Sequence, residues 1–396
     1  MRESININIE DFRIDKSAWS LVKFGDVAIQ QKKAVDRDNT ELSRYVKGEH
    51  MGSEDLHLRE WGELTDEYLG PAFIRIFEEG DILYGSRRTY LRKVVIAPFS
   101  GITSNTTFVI KANEKKIDKR LLPFIMMSEG FTDHSVKNSK GSVNPYINWK
   151  DIANYEFLLP PKDQQAKLAE LLWAMDAVVE KEVGVLDLII KLKHSFRKQI
   201  FLGYDQNVLE RKSLKNKNSL WEVGEIGKTC EIHNHLRKPI NKSNRNEQKG
   251  NYPYYGPTSV IDYISEYRVD GEYVLIGEDG DHFLKYHDWN MTQYVNGKFN
   301  VNNHAHLLKG SDKCLTKWIY YSLQHRNIIP HITRQGASRY KLNKQGLLGI
   351  LIFLPPIDTQ RGLIRSFDAL ESGLTTIKSK IAASKSLQKS LINQIF

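Results

Sequence analysis

Only two cysteines, Cys230 and Cys314, occur in 396 residues. Two thiols cannot make a disulfide framework or a Cys-based zinc site, and they suit a reducing compartment. Long apolar runs are also missing. None approaches the ~18 residues of a membrane span. The opening MRESININIEDF lacks the basic-then-apolar layout of a secretory signal. A cytoplasmic protein with no membrane role is expected. Acidic residues are in deficit, 48 against 57 Lys and Arg, for a formal charge of +9. That excess suits a polyanionic partner without requiring one. The length allows two or three domains, and 40% hydrophobic residues can fill their cores.

The chain is written twice. LLPPKDQQAKLAELL (Leu158–Leu172) returns as FLPPIDTQRGLIRSF (Phe353–Phe367). Gly141–Phe201 aligns with Gly336–Phe396 without a gap, with about 14 identities in about 61 positions. The front ends match more weakly. Trp19 opens WSLVKFGDV and Trp221 opens WEVGEIGKT. FEEGDILYG (Phe77–Gly85) resembles RVDGEYVLIG (Arg268–Gly277), a glycine turn feeding a buried strand in each case. Between these anchors the halves diverge. A period near 200 residues is far beyond solenoid repeats and marks a duplicated domain pair.

Each retained tail has the pattern of a long helix. The apolar positions Leu168, Leu172, Met175, Val179, Leu186 and Ile189, and Leu363, Phe367, Leu370, Leu374, Ile377 and Ile381, step by fours and threes. That is a coiled-coil seam. Proline suits a helix start, and Asp163 and Asp358 favour its dipole. Gly203 is read as the stop of the first helix. Two narrow stripes in one chain can bury each other, and the second head begins where the first helix ends. The helices are therefore expected to run antiparallel, returning the C-terminus towards the N-terminus. The expected architecture is α+β. Two repeated mixed α/β heads (1–160 and 220–355) are separated by a long antiparallel two-helix coiled coil (161–202 and 356–396), with a linker at 203–219, giving a pseudo-two-fold object.

A two-fold object with unlike heads matches duplex DNA carrying two different half-sites. The repeated LPP-x-D-x-Q helix start, the glycine-led segments GSVNPYINWKDI and GASRYKLNKQGL, and the run YPYYGPTSVIDY, GEYVLIGEDG and NGKFNVNNHAHLL carry a resemblance. Nearly the whole chain resembles the specificity subunit of type I restriction–modification systems. The resemblance implies two target-recognition domains binding a bipartite double-stranded DNA sequence. It implies helices that dock two methyltransferase subunits, which a restriction or translocase subunit can join. It also implies no catalysis and no cofactor in this chain, with S-adenosylmethionine, ATP and Mg²⁺ used by the partners. Two rivals are an autonomous methyltransferase or nuclease, which would turn over on its own, and a coiled-coil adaptor, which would not bind DNA.

Signs of internal chemistry are weak. GEIGKT (Gly224–Thr229) has Glu222 where a phosphate loop needs glycine. Asn144-Pro145-Tyr146 resembles a methyltransferase motif but lacks its second proline. His233 and His235, and His304 and His306, share strand faces without an evident carboxylate partner. Glu278-Asp279-Gly280-Asp281 reads as an acidic turn, and no metal site is expected. Tyr252, Tyr254 and Tyr255 read as core.

Candidate DNA contacts are basic and polar residues beside glycines. In the first half they are Arg87, Arg88, Tyr90, Lys137, Lys140, Ser142, Asn144 and Tyr146. In the second they are Arg334, Gln335, Ser338, Arg339 and Tyr340. Arg339 and Lys140 lead because the repeat places both in the Gly141 and Gly336 loops. Lys162, Lys167, Glu170, Lys181 and Lys191 mark the outer helix face.

Overall fold

The computed structural model describes residues 14–36, 39–65, 68–201, 221–335 and 339–396. The expected linker 203–219, with Gly203, lies outside the described residues. The chain forms two units, Met1–Gly184 with Lys378–Phe396, and Val185–Ile377. Each unit takes a share of both long helices, so the structural division cuts through the helices rather than at their ends.

Both units are built on the same two-stranded ladder. In the first, Ser20–Lys23 pairs antiparallel with Glu156–Leu159, Ser20 opposite Leu159. In the second, Glu222–Glu225 pairs with Leu351–Leu354, Glu222 opposite Leu354. One helical turn follows the first strand in each, Phe24–Val27 and Ile226–Thr229. The weak sequence match at Trp19 and Trp221 therefore marks a shared frame. Between the ladders the units differ. The first carries two four-stranded sheets and the second a six-stranded sheet. The strands expected after a glycine turn are present as Ile82–Gly85 and within Val269–Gly277. Gly80 (φ 86°) and Gly271 (φ 132°) occupy backbone conformations that favour glycine.

The tails are helices of 39 residues each, Lys162–Ile200 and Ile357–Ile395, about 60 Å long at 1.5 Å per residue. The repeated LPP-x-D-x-Q has a physical cause. Gln165 Nε2 donates to the Pro160 carbonyl at 2.8 Å, and Gln360 Nε2 to the Pro355 carbonyl at 2.8 Å. Their Oε1 atoms accept from the backbone N–H of Asp118 (2.7 Å) and Leu315 (2.9 Å). Both glutamines are buried. Each ties a helix start to the loop that precedes the head's own helices.

Within each unit the two long helices pair. In the second unit Phe196 meets Phe367 (ring centroids 4.8 Å), Lys193 meets Glu371 (2.6 Å), and Ile189 lies against Gly373. These contacts climb one helix while descending the other, so the segments are antiparallel. In the first unit Ala169 and Leu172 share a core with Leu391, Ile392 and Ile395. Phe396 packs on Phe157 at 6.4 Å, so the C-terminus does return to the first head.

The seam differs from the expected stripe. Leu172, Val179, Phe367 and Ile377 are buried as expected. Leu168, Met175, Leu186, Leu363, Leu370, Leu374 and Ile381 are only partly buried. On the first helix the buried line runs through Gln165, Ala169, Leu172, Asp176 and Val179. It keeps the four–three steps but admits polar residues, because partners from the head and the other helix satisfy them. Asp176 accepts from Gln388 Nε2 at 3.2 Å and pairs with His57 at 2.8 Å. The repeat maps Asp176 onto Glu371 and Lys193 onto Gln388. The Lys193–Glu371 pair of the second unit is thus the same crossing, made with a different donor.

Candidate nucleic-acid interface

In the first unit the two separate candidate segments come together. The backbone of Lys140 and Tyr146 exchanges hydrogen bonds at 2.7 and 2.9 Å, closing a hairpin around Gly141 (φ 89°). The turn after strand Ile82–Gly85 joins it. Ile147 N–H donates to Ser86 O (2.9 Å), and Arg88 N–H donates to Pro145 O (2.7 Å). Arg88, at φ 50°, donates from Nε to Asn144 Oδ1 at 3.1 Å. Arg87, Tyr90, Lys137, Lys140, Ser142 and Tyr146 are exposed on this surface, while Asn144 is half-buried. Lys140 is also held by Asp151 at 3.2 Å, which spends part of its charge inside the unit.

In the second unit Thr333–Gln335 pairs with Arg339–Lys341 as an antiparallel hairpin, Arg334 opposite Tyr340 and Gln335 opposite Arg339. Arg334 lies over the Tyr340 ring at 6.0 Å. Ser338 lies outside the described residues, and so do the side chains of Gln335 and Arg339. The gapless repeat equates Lys140 with Gln335. The structure instead pairs Lys341, the counterpart of Tyr146, with Thr333. The second hairpin has its ladder shifted by two residues along one arm, a register that identity at Gly141 and Gly336 cannot reveal.

The acidic turn and the histidines of the second half also meet here. Asp279 pairs with His304 at 2.8 Å, and Glu278 with Arg237 at 2.6 Å and Lys341 at 3.2 Å. His306 is buried between the Leu342 carbonyl (2.7 Å) and Asn234 (2.9 Å), and burial lowers its pKa. Glu278 is thus committed to two cations of the chain. In GEIGKT, Gly224 lies in a strand and the Thr229 hydroxyl donates to Glu225 O at 2.8 Å, so the group a phosphate loop would use is engaged. Tyr254 is buried, its hydroxyl donating to Lys238 O.

Among the described residues, one further group has metal-ligand composition: Asp55, His57 and Glu180. Arg59 already joins its carboxylates, at 2.8 Å from Asp55 and 2.5 Å from Glu180. The cluster carries its own cation and fastens the first head to the first long helix.

Two segments of the chain, 16–188 and 218–384, match the model of the type I restriction modification DNA specificity domain. The chain belongs to this family. A type I restriction enzyme specificity subunit of Haemophilus influenzae is 37% identical over 145 residues, 37% of this chain and 36% of that protein. The EcoDI specificity subunit of Escherichia coli is 29% identical over 192 residues, 47% of this chain and 42% of that protein. These matches span less than half the length of either relative. Among solved structures, the S subunit of a type I restriction-modification system from M. genitalium is similar over 100% of this chain and 98% of that one (TM-score 0.63, 14% identity). A chain from a structure of type I R-M complex assembly is similar over 96% and 97% (TM-score 0.55, 17% identity). At these identities the likeness is one of fold.

The two matched segments of this specificity-domain chain each contain one glycine-led hairpin and one turn packed on it. Sequence reasoning found the Gly141 and Gly336 segments as loops, not as hairpins, and found the basic turn. It did not join Glu278 and Asp279 to His304 and Lys341, because the partners lie 25 or more positions apart on diverged strands. The signal that could have joined them was the repeat: the acidic turn follows Gly277 as Ser86-Arg87-Arg88 follows Gly85.

Proposed function

We propose that this chain is a non-catalytic, cytoplasmic recognition subunit that reads a bipartite, asymmetric double-stranded DNA site. Each unit contributes one head, with its turn and hairpin placed against the duplex. The observation that carries the reading is the double occurrence of the specificity domain, with exposed basic and polar residues on the hairpin surface of both units. Arg87, Lys137 and Lys140 suit phosphate or base-edge contact in the first, and Arg334 in the second, where the partly buried Tyr340 packs on the core beneath it. The unlike sheets of the two units suit unlike half-sites.

The paired helices suit docking of two methyltransferase subunits, with restriction or translocase subunits joining them. Leu188 and Leu192 stand exposed at 66% and 57%. A groove of about 490 Å³ lined by Ile189, Leu192, Phe196, Leu370 and Gly373 runs beside them. The partners would supply the S-adenosylmethionine, ATP and Mg²⁺ chemistry. Modification of a base in the site then requires flipping it from the stack.

The test is binding by the complex reconstituted with its methyltransferase subunits. Affinity for cognate duplex should fall steeply with salt, as counterion release demands. The isolated chain should show no turnover with S-adenosylmethionine or Mg²⁺. Turnover by the isolated chain, or salt-insensitive binding, would contradict the proposal.

A further inference from the structure

The turn after the buried strand is held by one hydrogen-bond frame in both units. Ser86 N–H donates to Thr106 O (3.2 Å), and Glu278 N–H donates to His304 O (2.7 Å). Ile147 N–H donates to Ser86 O (2.9 Å), and Leu342 N–H to Glu278 O (2.8 Å). Arg88 N–H donates to Pro145 O (2.7 Å), and Gly280 N–H to Tyr340 O (3.1 Å). Arg88 and Gly280 both have positive φ, 50° and 143°. Arg87 bridges to Tyr146 and Asp279 bridges to Lys341 in antiparallel fashion. Arg87 and Asp279 therefore occupy one structural position, and their charges are opposite.

From this equivalence we infer that Arg87 and Asp279 are specificity-determining residues of opposite sense. Arg87 donates to a base edge such as guanine O6/N7. Asp279 accepts from the exocyclic amino group of cytosine or adenine. The inference rests on the DNA-recognition reading above. The guanidinium of Arg87 is exposed and has no partner among the described residues. A carboxylate facing a duplex normally meets phosphate repulsion. Here the two carboxylates of Glu278 and Asp279 are balanced by the cations Arg237 and Lys341, and His304 hydrogen-bonds to Asp279. Asp279 Oδ2 is engaged by His304, whereas Oδ1 lies 3.8 Å from Lys341, beyond hydrogen-bond length. One oxygen of a charge-balanced, partly exposed carboxylate is left to accept from a base.

The experiment is methylome sequencing of cells carrying the chain with its methyltransferase subunits, as wild type and as Arg87→Ala, Asp279→Ala and Asp279→Asn. The Asn variant preserves the shape of the turn should Asp279→Ala fail to fold. Arg87→Ala should relax one position of one half-site. The Asp279 variants should relax or shift one position of the other half-site. Discrimination at these positions should fall roughly 10- to 100-fold, with every other position kept. An unchanged motif with methylation lowered uniformly across sequences overturns the inference, as does relaxation of the same half-site by both sets. A wild-type motif that is not bipartite overturns the recognition reading itself, and this inference with it.

Discussion

Gln165 and Gln360 act through both ends of a buried amide, donating to a proline carbonyl and accepting from a loop N–H. Replacing either by Ala strands those backbone groups away from water, a loss of about 1–3 kcal/mol. Gln→Glu should be no better, since a carboxylate cannot donate to the carbonyl. Urea unfolding of the single variants checks this, and a change below about 0.3 kcal/mol would contradict it. His57 gives a pH signature. Its hydrogen bond to Asp176 raises its pKa, burial opposes the rise, and the charges of Asp176, Glu180 and Asp55 add to it. A folded-state pKa above the unfolded value of about 6.5 stabilises below that value, and the contribution is lost as pH rises through the folded pKa. Partial exposure limits it to no more than about 1 kcal/mol. His57→Gln should therefore destabilise the first unit more at pH 6 than at pH 8.5, read by thermal unfolding at both. An equal loss at both pH values would argue against the pairing.

Apolar packing and polar crossings divide the work along the helices. Leu172 and Phe367 hold equivalent, fully buried positions on the two long helices. Leu172→Ala should cost about 2–5 kcal/mol and Phe367→Ala about 3–5 kcal/mol, each measured by equilibrium unfolding. The Asp176–Gln388 and Glu371–Lys193 crossings are expected to fix register, the role of a polar residue in a helical seam. Asp176→Ala removes the carboxylate that both His57 and Gln388 contact and should destabilise. Asp176→Leu with Gln388→Leu should recover part of that loss, and a double-mutant cycle separates the two effects. Both long helices were legible because period and length survive in any context. The seam was legible only in part. A template that accepts apolar residues alone skips Gln165, Asp176 and Gln388, whose burial depends on partners as distant in sequence as Asp118 and His57. The Gly336 hairpin was visible as a loop, but its ladder register was not, since cross-strand pairing leaves no trace in a gapless repeat.

At the scale of the molecule, duplication was the most legible feature because the LPP-x-D-x-Q sentence performs the same backbone duty twice. Of the sheets between the ladders, only the strands Ile82–Gly85 and Val269–Gly277 were legible. The rest of their strands diverged freely around a shared frame, and the proposed recognition surface would draw its specificity from the diverged positions. Each long helix contributes residues to both units, which suits a role in setting the gap between half-sites. One heptad inserted into both helices, about 10 Å of rise, should lengthen that gap by about 3 base pairs. An unchanged gap in methylated sites would sink this ruler role. The central claim, that one chain brings two unlike heads to DNA, is tested most directly by methylome sequencing of cells carrying it with its methyltransferase subunits. The account predicts one asymmetric motif of two short half-sites separated by a fixed unspecified gap. A single continuous motif, or a symmetric palindrome, would contradict it.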